Sequence, residues 1–162
     1  MPSQPPIPDA FCARYLNWIA KRARAPEDTM AKTIMLDIPV RWGDLDAFNH
    51  VNNTVFLRYL EEARICFFAE MGDRWADERS GPVVVNVNCN FRREIRYPAT
   101  VRISLTASAA SAKRMLMEHT ITDARKPDIL YADAQITAVW VAHGSGAIEL
   151  PAHVRELLGE SD

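Results

Sequence analysis

The spacing of hydrophobic residues predicts one strand followed by one long helix. Over residues 32–42 apolar side chains occupy every second position, as a half-buried strand requires. From residue 53 onward the apolar spacing becomes three and four, which is typical of a helix, at Phe56, Tyr59, Leu60, Ala63 and Phe67. We expect this helix to cover 53–71 and to end at Gly72. At about 28 Å, it is long enough to cross a sheet of four or five strands.

Four further strands and a short helix are predicted downstream. The strand segments are 83–91, 101–105, 115–121 and 130–142, and residues 151–160 are typical of a short terminal helix. The connections are too short to hold crossover helices, so the strands are expected to be antiparallel. We expect these four to form a meander, with the long helix linking the first strand to it, which is an α+β fold.

The N-terminal segment has a different pattern. Residues 9–24 resemble a basic amphipathic helix, and turn-forming residues at 25–31 separate it from the first strand. We therefore divide the chain into an extension, 1–30, and a domain, 31–162. Packing against the domain or a partner subunit accounts for the basic helix, and a targeting or membrane-surface role is the alternative. Translation from Met30 would remove most of the extension.

Composition excludes several classes of protein. A chain of 162 residues with 48% hydrophobic and 25% charged residues has the composition of one globular domain, not of a disordered segment. A net charge of -2 lacks the basic excess of nucleic-acid-binding domains. The odd set Cys12, Cys66 and Cys89 matches no zinc or disulfide pattern and favours a reducing compartment. Because no apolar run is long enough to span a membrane and no secretory signal is recognised, we expect a cytoplasmic protein.

One dense group of reactive side chains lies between the first strand and the long helix: Asp44, Asp46, His50, Asn52 and Asn53. A helix N-terminus offers free N–H groups that can stabilise negative charge on a carbonyl oxygen. A carboxylate on the preceding loop could attack the same carbonyl or activate water beside it, so the group suits acyl transfer. The plainer alternative is that these residues stabilise turns and cap the helix.

The segment RWGDLDAFNHVNNTVFLRYLEEAR, with its DxDxxxHVNN pattern, resembles the hotdog-fold acyl-CoA thioesterases of the 4-hydroxybenzoyl-CoA thioesterase-like family. The resemblance runs from about residue 32 to 158 and includes FRREIRYPATVRI and the late segment DAQITAVWVAHGSGAIELPAHVRELL. It implies a curved antiparallel sheet of about five strands around the long helix. It also implies self-association as a dimer or tetramer, with active sites at the subunit interface.

The resemblance also implies a role for each motif residue. Asp46 would be the catalytic carboxylate, either as nucleophile or as general base. The backbone N–H of Asn53 would stabilise the thioester oxygen, while His50 and Asn52 would shape the site. Phe56, where related sequences commonly carry Tyr, and Tyr59 would contact the substrate.

Further candidates follow from the substrate itself. The phosphates of coenzyme A call for basic side chains, for which we consider Arg92, Arg93, Arg96, Lys113 and Arg114. An acyl tunnel could be lined by Phe67, Phe68, Trp75 and Val83, although such aromatic residues are more often core. Glu61, Glu62 and Arg64 fit a solvated or interface face and receive no catalytic role. Cys66 is expected to be an inert packed thiol.

The sequence therefore predicts a hydrolase that splits an acyl-CoA thioester into free acid and coenzyme A, with no metal or redox cofactor. The alternatives are a non-catalytic acyl-CoA-binding hotdog protein and a dehydratase acting on carrier-protein thioesters. The expected partners are the acyl-CoA and further copies of the chain, without nucleic acid or a membrane span. The length and chemistry of the acyl group are left open.

Overall fold

The computed structural model describes residues 32–70 and 79–159. The predicted helix at 9–24, the boundary at residue 30, the helix end at Gly72 and the candidate Trp75 lie outside these ranges. Within them, no helix is long and apolar enough to cross a membrane.

Six strands and two helices make up the described chain. The strands are β1 (Thr33–Pro39), β2 (Ser80–Phe91), β3 (Thr100–Ser111), β4 (Arg114–Asp123), β5 (Leu130–Ala142) and β6 (Gly146–Ile148). The helices are α1 (Asn53–Ala69) and α2 (Ala152–Leu157), and a short 3-10 helix (Trp42–Asp44) follows β1. The five predicted strands and both predicted helices of the domain are present. The 3-10 helix and β6 were not predicted, because three residues are too few to show a period.

The strands form one antiparallel sheet in the order β1-β3-β4-β5-β2, with β6 paired to β5. The predicted four-stranded meander is therefore wrong, because only β3, β4 and β5 are sequential neighbours and β2 pairs with β5 at the far edge. Residues 92–99 make this connection possible. From the end of β2 to the start of β3 the chain must cross three strand spacings of about 4.8 Å, roughly 14 Å in total. An extended segment of eight residues spans that distance easily.

Helix α1 lies against one face of the sheet, mainly over β1 and β3. Its buried face packs on the alternating inward positions of the strands and forms one apolar core. The fully buried side chains include Leu60 and Phe67 of α1, Leu105 of β3 and Met117 of β4. A Lys32–Glu70 ion pair of 2.8 Å joins the start of β1 to the end of α1, so the start of α1 lies at the opposite end of β1.

Strand β2 differs from the other long strands because most of its side chains are exposed. Its large apolar side chains are between 39% and 56% exposed: Val83, Val84, Val85, Val87 and Phe91. In the described chain β2 pairs only with β5, so its outer edge carries unpaired backbone groups. Such a long apolar edge is typical of a surface that another chain covers.

Candidate active site

The polar loop before α1 folds back on itself. The N–H of Asn52 donates to the carbonyl of Asp44 at 2.9 Å, and the N–H of Asp46 donates to the carbonyl of His50 at 2.8 Å. At the tip Asn49 has a φ of 64°, a left-handed conformation that asparagine tolerates better than most residues. The segment is thus a tight hairpin-like loop that returns Asp46 toward the start of the helix. This agrees with the predicted loop.

The two carboxylate oxygens of Asp46 have different surroundings. Oδ1 accepts the N–H of Phe48 at 2.8 Å and lies 3.5 Å from the N of His50. Within residues 32–70 and 79–159, Oδ2 accepts no hydrogen bond from a side chain or N–H group. One oxygen is therefore fixed by the loop, and the other has no hydrogen-bond donor among the described residues.

Helix α1 begins with a capped first turn. The side chain of Asn52 accepts the N–H of Thr54 at 2.9 Å, and the carbonyl of Asn52 accepts the N–H of Val55, also at 2.9 Å. Asparagine is a preferred N-cap because its short side chain reaches these otherwise unpaired donors. The N–H of Asn53 has no acceptor in the described chain. The first N–H of the helix thus stays available, on an exposed residue, for an oxygen atom of a ligand.

His50 is held by the connection between β2 and β3. Its Nε2 lies 2.9 Å from a carboxylate oxygen of Glu94, and the other oxygen of Glu94 accepts from Arg96 at 2.7 Å. The fully buried Ile95 adds a backbone bond, because its carbonyl accepts the N–H of Val51 at 2.9 Å. Sequence reasoning missed Glu94, because nothing local in the sequence places residues 92–99 against the motif loop.

Asp44 supports the loop. Its Oδ2 accepts the N–H of Arg41 at 2.8 Å and the hydroxyl of Tyr59 at 2.7 Å. Burial, and then the hydrogen bond to Asp44, raise the pKa of Tyr59 well above its usual value, so the phenol stays protonated and can donate. Tyr59, predicted to contact substrate, uses its hydroxyl to tie α1 to the loop.

Phe56 is buried in the first turns of α1 and meets Phe91 at the end of β2. Their ring centroids are 5.2 Å apart in an edge-to-face arrangement. Phe67 and Phe68, considered for an acyl tunnel, are core residues, whereas Val83 is exposed on β2. Cys66 is buried in α1, as expected of a packed thiol.

The candidate basic residues divide into two groups. Arg92, Arg93 and Arg96 lie on the connection that holds His50, whereas Lys113 and Arg114 lie at the β3–β4 hairpin, at the opposite end of the sheet. Arg92 pairs with Asp133 and Arg96 with Glu94. No carboxylate of the described residues pairs with Arg93. Of the three candidates on this connection, Arg93 is therefore the one whose guanidinium has no carboxylate partner in the described chain.

A cavity of about 550 Å³ lies beside α1 but does not contain Asp46, His50 or Asn53. It is bounded by Ile38, Arg41, Asp44, Val55, Arg58, Tyr59, Glu61, Glu62 and Ile65. The candidate residues of the motif therefore do not line this cavity, and its walls carry the Tyr59–Asp44 bond that supports the loop.

Comparison with known proteins identifies the family. The sequence model of the thioesterase-like superfamily matches residues 40–158. The long-chain acyl-CoA thioesterase FadM of Escherichia coli is 32% identical over 124 residues, which cover 75% of this chain and 93% of FadM. The chain belongs to the thioesterase-like superfamily. The predicted enzyme class, a thioester hydrolase, is confirmed.

Solved structures agree with this assignment. The PA2801 protein of Pseudomonas aeruginosa is 33% identical, with a TM-score of 0.70 over 75% of this chain and 95% of its own. A 4-hydroxybenzoyl-CoA thioesterase whose structure was solved with 4-hydroxybenzoyl-CoA is 21% identical. The TM-score is 0.69, and the match covers 78% of this chain and 98% of that thioesterase. At that identity the likeness shows the fold alone. The predicted α+β hotdog fold is confirmed.

Proposed function

We propose that this protein hydrolyses an acyl-CoA thioester to a free carboxylic acid and coenzyme A. The observation that carries the proposal is the arrangement of one loop: Asp46 has a fixed and a free carboxylate oxygen, and the same loop leads into the unpaired N–H of Asn53. Hydrolysis of a thioester is promoted by a nucleophile or general base beside the carbonyl carbon, which a carboxylate can supply, and by a donor at the carbonyl oxygen. Both groups come from the ten residues 44–53.

In the proposed reaction the N–H of Asn53 and the α1 N-terminus stabilise negative charge that develops on the thioester oxygen. Asp46 acts in one of two ways. As a nucleophile it forms a mixed anhydride and expels the coenzyme A thiolate, and water then cleaves the anhydride. As a general base it takes a proton from water, whose oxygen attacks the carbonyl carbon directly. Either course needs no metal or redox cofactor.

The remaining motif residues are proposed to position these groups. Asn52 fixes the first turn of α1, and His50, held by Glu94, fixes the returning strand of the loop. Phe56 forms an apolar wall with Phe91 beside the helix start. Arg93 is proposed to bind a phosphate of coenzyme A, because its charge is not neutralised by a carboxylate of the described chain.

Self-association is part of the proposal. The exposed apolar side chains and unpaired edge of β2 support a dimer in which the β2 strands of two subunits meet. Phe91 lies on β2 beside the candidate site, so a second subunit would enclose the substrate. The cysteine pattern supports a reducing, cytoplasmic location.

The test is thiol release from a panel of aliphatic and aromatic acyl-CoA substrates, followed with a thiol-reactive dye. Asp46→Asn should lower kcat by at least ~100-fold, because the variant can neither attack nor take a proton effectively. The matched control is Asp128→Asn, which changes an exposed carboxylate in the β4–β5 turn and should leave kcat unchanged. Full activity of Asp46→Asn would refute the role of Asp46. Binding of acyl-CoA without any turnover by the unaltered protein would favour the non-catalytic alternative.

A further inference from the structure

The ring of His50 belongs to a row of three side chains. Its Nε2 lies 2.9 Å from one carboxylate oxygen of Glu94, and Nε of Arg96 donates to the other oxygen at 2.7 Å. Ile95, which lies between these two residues in the sequence, is fully buried, and its carbonyl accepts the N–H of Val51. The carboxylate of Glu94 is therefore held against one nitrogen of the His50 ring.

The contact with Glu94 determines which ring nitrogen can act as a base. A carboxylate accepts but does not donate, so in the neutral ring the proton is on Nε2 and the lone pair is on Nδ1. No described residue bonds to Nδ1, and the side chain of His50 is 29% exposed, so water can reach it. A histidine with one nitrogen oriented by a carboxylate and the other nitrogen free is an arrangement that takes protons in hydrolases.

His50 and Asp46 lie opposite each other where the site loop closes. The N–H of Asp46 donates to the carbonyl of His50 at 2.8 Å, and the backbone N of His50 lies 3.5 Å from Oδ1 of Asp46. Next to them Leu45 and Val51 form an antiparallel bridge. Nδ1 is nearer to the backbone than Nε2, so the free nitrogen of the ring is the one closer to the contact with Asp46.

The loop thus carries two side chains with unpaired lone pairs. Oδ2 of Asp46 has no donor among residues 32–70 and 79–159, and Nδ1 of His50 has none there either. Thioester hydrolysis in two steps needs such a pair, a nucleophile for the carbonyl carbon and a base for the water. The N–H of Asn53 would serve both steps, because negative charge develops on the same oxygen in each.

We propose that Asp46 is the nucleophile and that His50, oriented by Glu94, is the general base of the second step. This inference rests on the proposed thioesterase function, and it divides between two residues the roles that Asp46 alone could otherwise fill. Glu94 is a positioning residue, because it acts on the ring of His50 and not on the reacting atoms.

Each step has a defined base and leaving group. In the first, Oδ2 of Asp46 forms a bond to the thioester carbonyl carbon and the carbon–sulfur bond breaks, which gives a mixed anhydride and the coenzyme A thiolate. In the second, Nδ1 of His50 takes a proton from water, the water oxygen bonds to the same carbon, and the bond from that carbon to Asp46 breaks. The acid that forms releases the second water proton to solvent, and the protonated His50 gives its proton to the thiolate.

The experiment separates the two steps by the time course of thiol release. The probe is the acyl-CoA that the full-length wild-type protein hydrolyses fastest, mixed rapidly and in excess with each variant. In His50→Gln the anhydride should form but be cleaved slowly, so we expect a burst of one thiol per site and then a steady rate ~100-fold or more below that of the wild type. Glu94→Gln should show the same burst with a loss of ~10-fold or more, because the ring is present but poorly oriented. Thiol release without a burst in both variants would overturn the proposal.

Two further variants distinguish a chemical role of His50 from support of the loop. Tyr59→Phe removes a hydrogen bond that holds the same loop without touching the ring, so it should lower the rate without a larger burst than the wild type shows. Asp46→Asn should give no burst, because no anhydride can form. A burst in Tyr59→Phe or Asp46→Asn equal to that in His50→Gln would contradict the assignment. Hydrolysis by the wild type with no burst in His50→Gln or Glu94→Gln would overturn this inference alone, whereas the absence of hydrolysis on any substrate would overturn the proposed function.

Discussion

His119 makes the stability of the folded protein depend on pH. It lies on the inner face of β4, 2% exposed, and burial lowers its pKa to about 4. In the unfolded chain its pKa is about 6.5, so between these values the unfolded state binds the extra proton. The contribution of His119 to stability is therefore greatest above pH 6.5 and is lost as the pH falls toward 4.

We expect this loss to reach about 3 kcal/mol at pH 4, from a difference of about 2.5 pKa units. Replacing His119 with Leu should remove that part of the pH dependence. The measurement is urea unfolding at several values between pH 4 and 7 for the wild type, His119→Leu and the surface control His143→Gln. The same pH dependence in all three proteins would show that His119 does not titrate as described.

At the scale of elements, a few hydrogen bonds join the site loop to its neighbours. Tyr59 of α1 donates to Asp44, and Glu94 of the β2–β3 connection holds His50. The proposed catalytic groups, Asp46 and the N–H of Asn53, lie on a short loop and at a helix terminus. Their relative position thus depends on the elements packed against the loop.

Tyr59→Phe tests this dependence. The variant keeps the buried ring but loses the hydrogen bond to a carboxylate, so unfolding should become easier by about 2 kcal/mol. Because the loop is then less firmly held, kcat should fall between ~10- and ~100-fold. Chemical denaturation and thiol release give the two values.

Tyr131→Phe is the matched control, because the Tyr131 hydroxyl donates at 2.9 Å to Asp123, a carboxylate that is not part of the Asp46 loop. It should lose similar stability and retain most of its activity. Equal losses of kcat in Tyr59→Phe and Tyr131→Phe would contradict a specific role for the Tyr59–Asp44 bond.

At the scale of the whole molecule, β2 is an edge strand of the sheet, and in the described chain it pairs only with β5. Val85, at an irregularity in the β2–β5 pairing, is 56% exposed, so a lysine there adds charge to the edge without disturbing the core. Val85→Lys should convert the proposed dimer to a monomer and lower kcat/KM by at least ~10-fold, since Phe91, beside the candidate site, loses its cover. Size-exclusion chromatography coupled to light scattering gives the molar mass of the assembly in solution.

Thr120→Lys places the same charge on the exposed outer face of β4 and should remain at least dimeric. A monomeric wild-type protein would contradict the proposed dimer. A dimer of unchanged mass in Val85→Lys would place its interface elsewhere.

The sequence by itself determined five of the six strands, the two helices of the domain and the site loop. A strand and a helix each repeat with their own period, so the alternation at 32–42 and the spacing of apolar residues after residue 53 were sufficient to predict β1 and α1. The DxDxxxHVNN pattern is continuous in the chain. Its Asp46, His50, Asn52 and Asn53 are therefore neighbours in any fold that makes this turn.

Tertiary structure alone decided which elements meet. The sequence pattern of β2 fits any position in the sheet, and both its place beside β5 and the approach of Glu94 to His50 depend on long-range packing. The physical reason is that periodicity records which side of an element is buried, whereas neighbours are chosen by the burial and hydrogen bonding of the whole sheet.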